Sequence, residues 1–392
     1  MVDSFSLFVS LAWLGPERGL LRDVSLRIED GQIASIVPDS RPEPNSEQRS
    51  ALIPPLVNAH CHLEFSHLEE PLQPAHPFQS WIGRTVQTRR ENADPARSIK
   101  TGLDEAARCG VHRVADIATQ TLDSYPARKS TDVAACLFRE LIGVQPESIA
   151  SQRQLLDEFL TADTEWARGI SPHAPYSVHP DLLEYAIDKA VEHQLPVTMH
   201  LAETRSELEF LRDGTGDFVD MLTRFGIWSG PFYPPETRPL DLMKRLASAP
   251  RVLLAHCNYL SEDEIEYLAA HPQMAAIYCP RTHAFFKHDP HPWQKLLEQG
   301  AQVALGTDGR GSSPDLSIWN EILFLAERFP DVDPALLLSL GTTRGAAAMG
   351  WDWTFEVGQP ARFTLLDADG PPESLSQLLS DHVRPIALRR SH

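Results

Sequence analysis

The sequence predicts an α/β protein, a (β/α)8 TIM-like barrel joined to a small β-sandwich domain formed by the N- and C-terminal segments. Three observations predict it. Short apolar strand candidates alternate with longer stretches of helical periodicity through the middle of the chain, the signature of repeated βα units. Eight such strands can be picked out, and six carry a His or Asp at or near their C-terminal end, where barrels of this class gather functional groups. The length of 392 residues suits one barrel of roughly 250–300 residues with a smaller companion.

Residues 4–37 alternate and break at Gly15, Pro16, Gly19 and Gly31, as short antiparallel strands do. Asp30-Gly31, between VSLRIE and QIASIV, is a strong hairpin signal. A polar, Pro-rich stretch over 38–50 closes this unit. The barrel strands expected next are LIPPLVNAH, VHRVADI, ACLFRELIGV, RGISPHAPY, PVTMHLAE, RVLLAHCNY, AAIYCP and QVALGTDG. After the helical PALLLSLGTTRGAAAMG, the strand ARFTLLD returns to the N-terminal unit. The expected division is 1–53 with 345–392 for the composite β domain and 54–344 for the barrel. The stretch 214–239, rich in Gly, Pro and aromatics, reads as an elaborated loop at the mouth of the barrel.

Composition excludes several classes of function. With 35 basic and 54 acidic side chains the formal charge is −19, which argues against a nucleic-acid partner, since such a partner needs a basic surface to displace counterions. No apolar run reaches the roughly 18–20 residues that span a bilayer. The opening MVDSFSLFVSLAWLG contains Asp3 and lacks a basic leader, so it reads as a first strand rather than a signal peptide. The five cysteines are odd in number and form no C-x-x-C pair, which fits a reducing cytoplasm better than a disulfide framework. Whether the chain forms a homo-oligomer is not legible at this level.

His60-Cys61-His62 follows the apolar run ALIPPLVNA. Positions i and i+2 of a strand share a face, so both imidazoles can reach one divalent ion at about 2.0–2.1 Å. Alone, the pair is a weak signal, with two satisfied polar residues at a strand end as the plain alternative. The rest of the series decides. His200 ends LPVTMH, His256 ends RVLLAH and Asp308 ends QVALGTD. Burying such groups singly costs a few kcal/mol each, so one shared purpose explains them better than separate accidents.

On PPLVNAHCHLEFS, SPHAPYSV, HLAET, LLAHCNYLS, CPRTHAFF and LGTDGRGSSPDLS, in that order, the chain resembles the amidohydrolase superfamily. Within it, the resemblance is to the branch of cytosine, guanine and adenosine-type deaminases and triazine chlorohydrolases. The resemblance implies that His60, His62, His200 and Asp308 hold a metal, that Glu203 shuttles protons, and that His256 contacts the attacked centre. It also implies that His173 contacts substrate. Binuclear relatives carry a Lys on the fourth strand; this chain has His173 there, so one divalent ion is expected. Three imidazoles and a carboxylate suit Zn²⁺ and tolerate Fe²⁺ or Mn²⁺.

HLEFS followed by PFQSWIGRTVQTRREN looks like the aminodeoxyfutalosine deaminases of menaquinone biosynthesis. The implied reaction is hydrolytic deamination of an aminated purine-type nucleoside, 6-amino-6-deoxyfutalosine first, by metal-activated hydroxide with Glu203 as shuttle. The alternative is an amidohydrolase or chlorohydrolase acting on another heterocycle or cyclic amide; a barrel that binds without catalysis has no use for Glu203. Trp81 reads equally as a pocket wall stacking on a planar ring and as ordinary helix packing. Arg84, Arg89, Arg90 and Arg139 are undifferentiated candidates for an acidic substrate group. His283, where many relatives have Asn, leaves the distal substrate contacts open. Cys61 and Cys257 adjoin functional histidines but point to the opposite strand face, as packing residues do.

Overall fold

The computed structural model describes residues 4–386. Residues 1–3, including Asp3, and 387–392, the outer ends of the expected β domain, lie outside the described residues. The N-terminal strands are β1 (Ser4–Trp13), β2 (Leu20–Glu29), β3 (Gln32–Val37) and β4 (Glu47–Ile53). Nine strands follow: β5 (Leu56–His62), β6 (Val111–Ala118), β7 (Ala134–Leu141), β8 (Ala167–Pro172), β9 (Val197–Leu201), β10 (Val252–His256), β11 (Met274–Tyr278), β12 (Gln302–Leu305) and β13 (Asp308–Gly309). The last strands of the described residues are β14 (Thr364–Asp367) and β15 (Arg384–Ile386).

Both chain ends share one six-stranded sheet of order β15-β14-β4-β1-β2-β3. The β2–β3 hairpin turns where the sequence places it. Asp30 and Gly31 have φ of 48° and 74°, the two left-handed residues that this tight turn requires. Val24, Leu26 and Ile28 alternate inward on β2 and pack with Phe355, Phe363 and Leu365 from the C-terminal segment. Leu11, Trp13, Ala51 and Ile53 instead join the main core around the barrel, so the sheet is anchored through both faces.

The strand LIPPLVNAH is not one strand. It divides at Pro54-Pro55, β4 belonging to the small sheet and β5 to the barrel, because proline has no N–H to give to a ladder. In the barrel all pairings are parallel, running β5 to β12 in order. The eighth strand closes the ring in two pieces: β12 pairs with β11, and β13 with β5. Between them Gly306 N donates to Tyr278 O (2.9 Å) and Thr307 N to His60 O (3.1 Å). Ala59, Ala115, Phe138, Leu253, Ile277 and Ala304 form a separate apolar cluster. They come from six different strands, which can meet only inside the ring.

Several helices open on proline, at Pro95, Pro146, Pro180, Pro239, Pro280 and Pro334. Proline's fixed φ and missing N–H cost nothing in a first turn, so these residues start helices rather than break them. Residues 214–239 include the helix Asp217–Arg224, and Met221, Leu222, Phe225 and Ile227 line the cavity at the barrel mouth. Among the described residues no helix is long and apolar enough to cross a membrane.

Candidate metal centre and active site

The C-terminal ends of the barrel strands bring together the polar residues singled out from the sequence. Donor atoms of His60, His62 and His200 lie within 4.8 Å of one another, and so do those of His60, His256 and Asp308. His60, fully buried, belongs to both groups. A β5–β6 register shift between Asn58 and Cys61 re-aims the end of β5, as bulges beside functional sites do. Ala202, His256, Cys257 and Asp308 adopt left-handed backbone, with φ of 53°, 72°, 55° and 57°. Each such non-glycine residue costs of order 1–3 kcal/mol, and all four sit at the mouth.

That backbone is held from outside. Cys257 N donates to Leu201 O (3.0 Å), Asn258 Nδ2 to Glu203 O (3.0 Å), and the His291 Nε2–H to His256 O (2.7 Å). Asp308 Oδ2 accepts from Ser312 Oγ at 2.6 Å, which turns Oδ1 towards His62 Nε2 (3.4 Å) and His60 Nε2 (3.6 Å). Burial alone would raise this carboxyl group, but the imidazoles of His60, His62 and His256 hold it below the usual carboxylate range. His200 Nδ1 donates to His173 O (2.9 Å), which fixes the tautomer and frees Nε2 for the cluster.

The donor set fits a divalent cation. Both ring nitrogens of His60 and Nδ1 of His62 are buried without a hydrogen-bond partner, and such unpaired polar atoms are costly unless another group satisfies them. Burial lowers the pKa of His62 and His200 well below the ordinary histidine value, keeping the rings neutral as metal ligands must be.

Glu203 follows β9 on a clamped turn. The Glu207 carboxylate accepts from Ala202 N (2.7 Å) and Glu203 N (3.0 Å), and Thr204 Oγ1 accepts from Glu207 N (3.1 Å). Glu203 Oε1 lies 3.6 Å from His256 Nε2. Burial, reinforced by Asp308 and Glu207, raises the Glu203 carboxyl well above its ordinary pKa. Burial brings His256 down to about 3, leaving a neutral imidazole beside it.

A cavity of about 930 Å³ opens over the cluster. His173, at the end of β8, lines it, with Nδ1 2.6 Å from Ser177 Oγ; burial brings this ring to about 3. Trp81, on the helix Phe78–Glu91, also lines the cavity. Its indole N–H donates to Gly311 O (3.2 Å) and its ring stacks on Phe78 at 5.8 Å, so wall and helix packing describe the same residue.

The structure separates the four arginines. Arg84 is bonded to Pro74 O, and Arg139 to the carbonyls of Thr119 and Gln120. Arg89 is paired with Glu64 (2.7 Å) and Glu140 (3.5 Å) at the cavity wall, and Arg90 lies exposed on the rim. His283 bonds Asp289 O (2.8 Å) and is not among the cavity-lining residues. Cys61 and Cys257 are fully buried, and all five cysteines are unpaired. Sequence reasoning missed Glu64, Glu140, Glu207, Asn258, His291 and Ser312. Glu140 carried the same signal as the histidines, a charge ending the apolar strand CLFRE. Glu207 was readable as the last member of the T-x-x-E capping box.

Residues 51–385 match the amidohydrolase family. The aminodeoxyfutalosine deaminase of Deinococcus radiodurans is 30% identical over 327 residues, covering 79% of this chain and 76% of that protein. A 5-methylthioadenosine/S-adenosylhomocysteine deaminase of Pelotomaculum thermopropionicum is 29% identical over 363 residues, 86% of this chain and 77% of the relative. The crystal structure of Helicobacter pylori aminofutalosine deaminase in complex with methylthio-coformycin superposes with a TM-score of 0.84 at 20% identity, covering 97% of both chains; that likeness establishes the shared fold. With the site geometry and these matches together, the chain belongs to the amidohydrolase family and is a deaminase-type hydrolase of carbon–nitrogen bonds other than peptide bonds.

Proposed function

We propose that the enzyme hydrolytically deaminates a 6-aminopurine nucleoside, with 6-amino-6-deoxyfutalosine, on the route to menaquinone, as its substrate. The observation that carries the reading is Glu203, a buried carboxyl group whose Oε1 lies 3.6 Å from His256 Nε2, beside a buried three-imidazole, one-carboxylate donor set. The Deinococcus relative supports the choice of nucleoside. The unpaired cysteines support a reducing, cytoplasmic setting.

The geometry supports the following roles. His60, His62, His200 and Asp308 would hold one divalent ion, Zn²⁺ first, with Fe²⁺ or Mn²⁺ also compatible; bound there, it supplies an acidified water at neutral pH. Net reaction adds water at the amine-bearing carbon and releases ammonia. Glu203 moves the proton, taking it at its carboxylate oxygen from the attacking water and handing it to the departing nitrogen. His256 Nε2 and Asp308 Oδ1 orient the attacking oxygen. His173 and Trp81 position the heterocycle.

A second reading has one specific support, the 29% identical relative that acts on 5-methylthioadenosine and S-adenosylhomocysteine. Both readings share the 6-aminopurine nucleoside and differ in the 5′ group. Ammonia release from 6-amino-6-deoxyfutalosine, 5-methylthioadenosine, S-adenosylhomocysteine and adenosine ranks them, with a triazine and a cyclic amide as outgroups. Glu203→Gln should lower kcat by about 10²–10⁴-fold with metal content unchanged, and a chelator should abolish activity until metal is restored. Release from none of the nucleosides overturns the reading. Elemental analysis showing two ions per chain overturns the single-metal assignment.

A further inference from the structure

The wall formed by β7 and β8 holds a charged group with no part in the chemistry above. Glu140, at the C-terminal end of β7, is 5% exposed and lines the cavity. Its Oε2 faces Arg89 Nη2 at 3.5 Å, whereas its Oε1 is buried without a hydrogen-bond partner. On the adjacent strand, His173 Nε2 stands 4.0 Å from that oxygen. Ser177 Oγ donates to Ala174 O (3.1 Å), so it accepts from His173 Nδ1 (2.6 Å). At 4.0 Å this imidazole is beyond hydrogen-bond reach, so Glu140 Oε1 faces the cavity as an acceptor that no protein group satisfies.

The neighbouring charges define which donor. Arg89 is shared between two carboxylates, but Glu64 takes most of it, through Nε (2.9 Å) and Nη2 (2.7 Å). Glu64 also accepts from Thr119 Oγ1 (2.6 Å). Arg139, the second guanidinium near Glu140, is engaged by the carbonyls of Thr119 and Gln120, so Glu140 Oε1 is left as an open acceptor that selects an O–H or N–H donor rather than a phosphate or carboxylate. A 6-aminopurine carries its N–H donors on the exocyclic amine, and its free ring nitrogens are acceptors. That amine is consumed at the reacting centre. The remaining donors of a nucleoside are its sugar hydroxyls.

We propose that Glu140, held in place by Arg89, binds a ribose hydroxyl of the substrate and makes the enzyme specific for ribonucleosides. This rests on the nucleoside reading above. The test compares adenosine-type substrates with their 2′-deoxy and 3′-deoxy counterparts, in wild type, Glu140→Gln and Glu140→Ala. Removing the hydroxyl that Glu140 reads should lower wild-type kcat/KM by about 10- to 100-fold, mostly through KM. In Glu140→Ala the ribo-to-deoxy ratio should collapse to within about threefold, with Glu140→Gln, which keeps an amide oxygen, between the two.

Equal ratios in wild type and variants would make Glu140 only a counter-ion for Arg89 and overturn the proposal. So would a wild-type enzyme indifferent to both hydroxyls, a result that needs no variant to fold. Deamination of nucleosides without hydroxyl discrimination sinks this inference alone. Deamination of no nucleoside sinks it together with the function on which it rests.

Discussion

Ser312 shows how a residue outside the reacting groups sets their geometry. Its hydroxyl holds Asp308 Oδ2 at 2.6 Å and so decides which carboxylate oxygen faces His60 and His62. Removing such a support typically costs 10–100-fold in metal affinity or activity. Ser312→Ala should therefore weaken metal binding by about that factor in a chelator competition, with kcat recovering at saturating metal; unchanged affinity would show that Asp308 orients itself. The histidines and Asp308 were legible because each ends an apolar strand. Ser312 was not, because its contact depends on how GRGSS folds back over Asp308. Arg89 could not be told from its neighbours for a related reason: sequence gives a helix face, but not which arginine on it meets Glu64 and Glu140 rather than solvent.

The eighth strand argues the same point for an element. QVALGTDG reads as one strand, yet it is two, because consecutive residues must bond Tyr278 on one side and His60 on the other. Gly306 stands at the junction. A Cβ there would lie 2.8 Å from both Cβ and O of His60 and 3.1 Å from Cys279 Sγ, with no flexible side-chain end among them to yield. Gly306→Ala should cost about 1–3 kcal/mol, the range of overpacking in a tight interior, measured by chemical denaturation. It should also lower metal occupancy by displacing His60. Wild-type stability with full occupancy would mean that the barrel seam is softer than these contacts require.

For the molecule as a whole, the joint between barrel and terminal sheet is a buried polar contact. Thr364 Oγ1 accepts from Leu56 N (3.1 Å) and donates to Gly110 O (2.8 Å), tying β14 to the start of β5 and the residue before β6. Thr364→Val keeps the shape and removes both bonds, leaving a buried N–H and C=O unpaired at about 1–3 kcal/mol each. A loss of about 2–4 kcal/mol in denaturant unfolding is expected; a loss below the range for one unpaired group would mean that the sheet and barrel are joined by apolar contact alone.

The alternation of strands and helices, the hairpin at Asp30-Gly31 and the polar residues that end the strands are legible in the residues alone. Each of these is a local property, a periodicity, a turn residue or a charge closing an apolar run. The division at Pro54-Pro55, the broken eighth strand, the left-handed backbone beneath His256 and Asp308, and the pairing of Arg89 with Glu64 and Glu140 emerge only in the folded chain. These depend on ring closure, which brings residues more than two hundred positions apart, such as His60 and Asp308, within a few ångströms and settles which hydrogen bonds each can make.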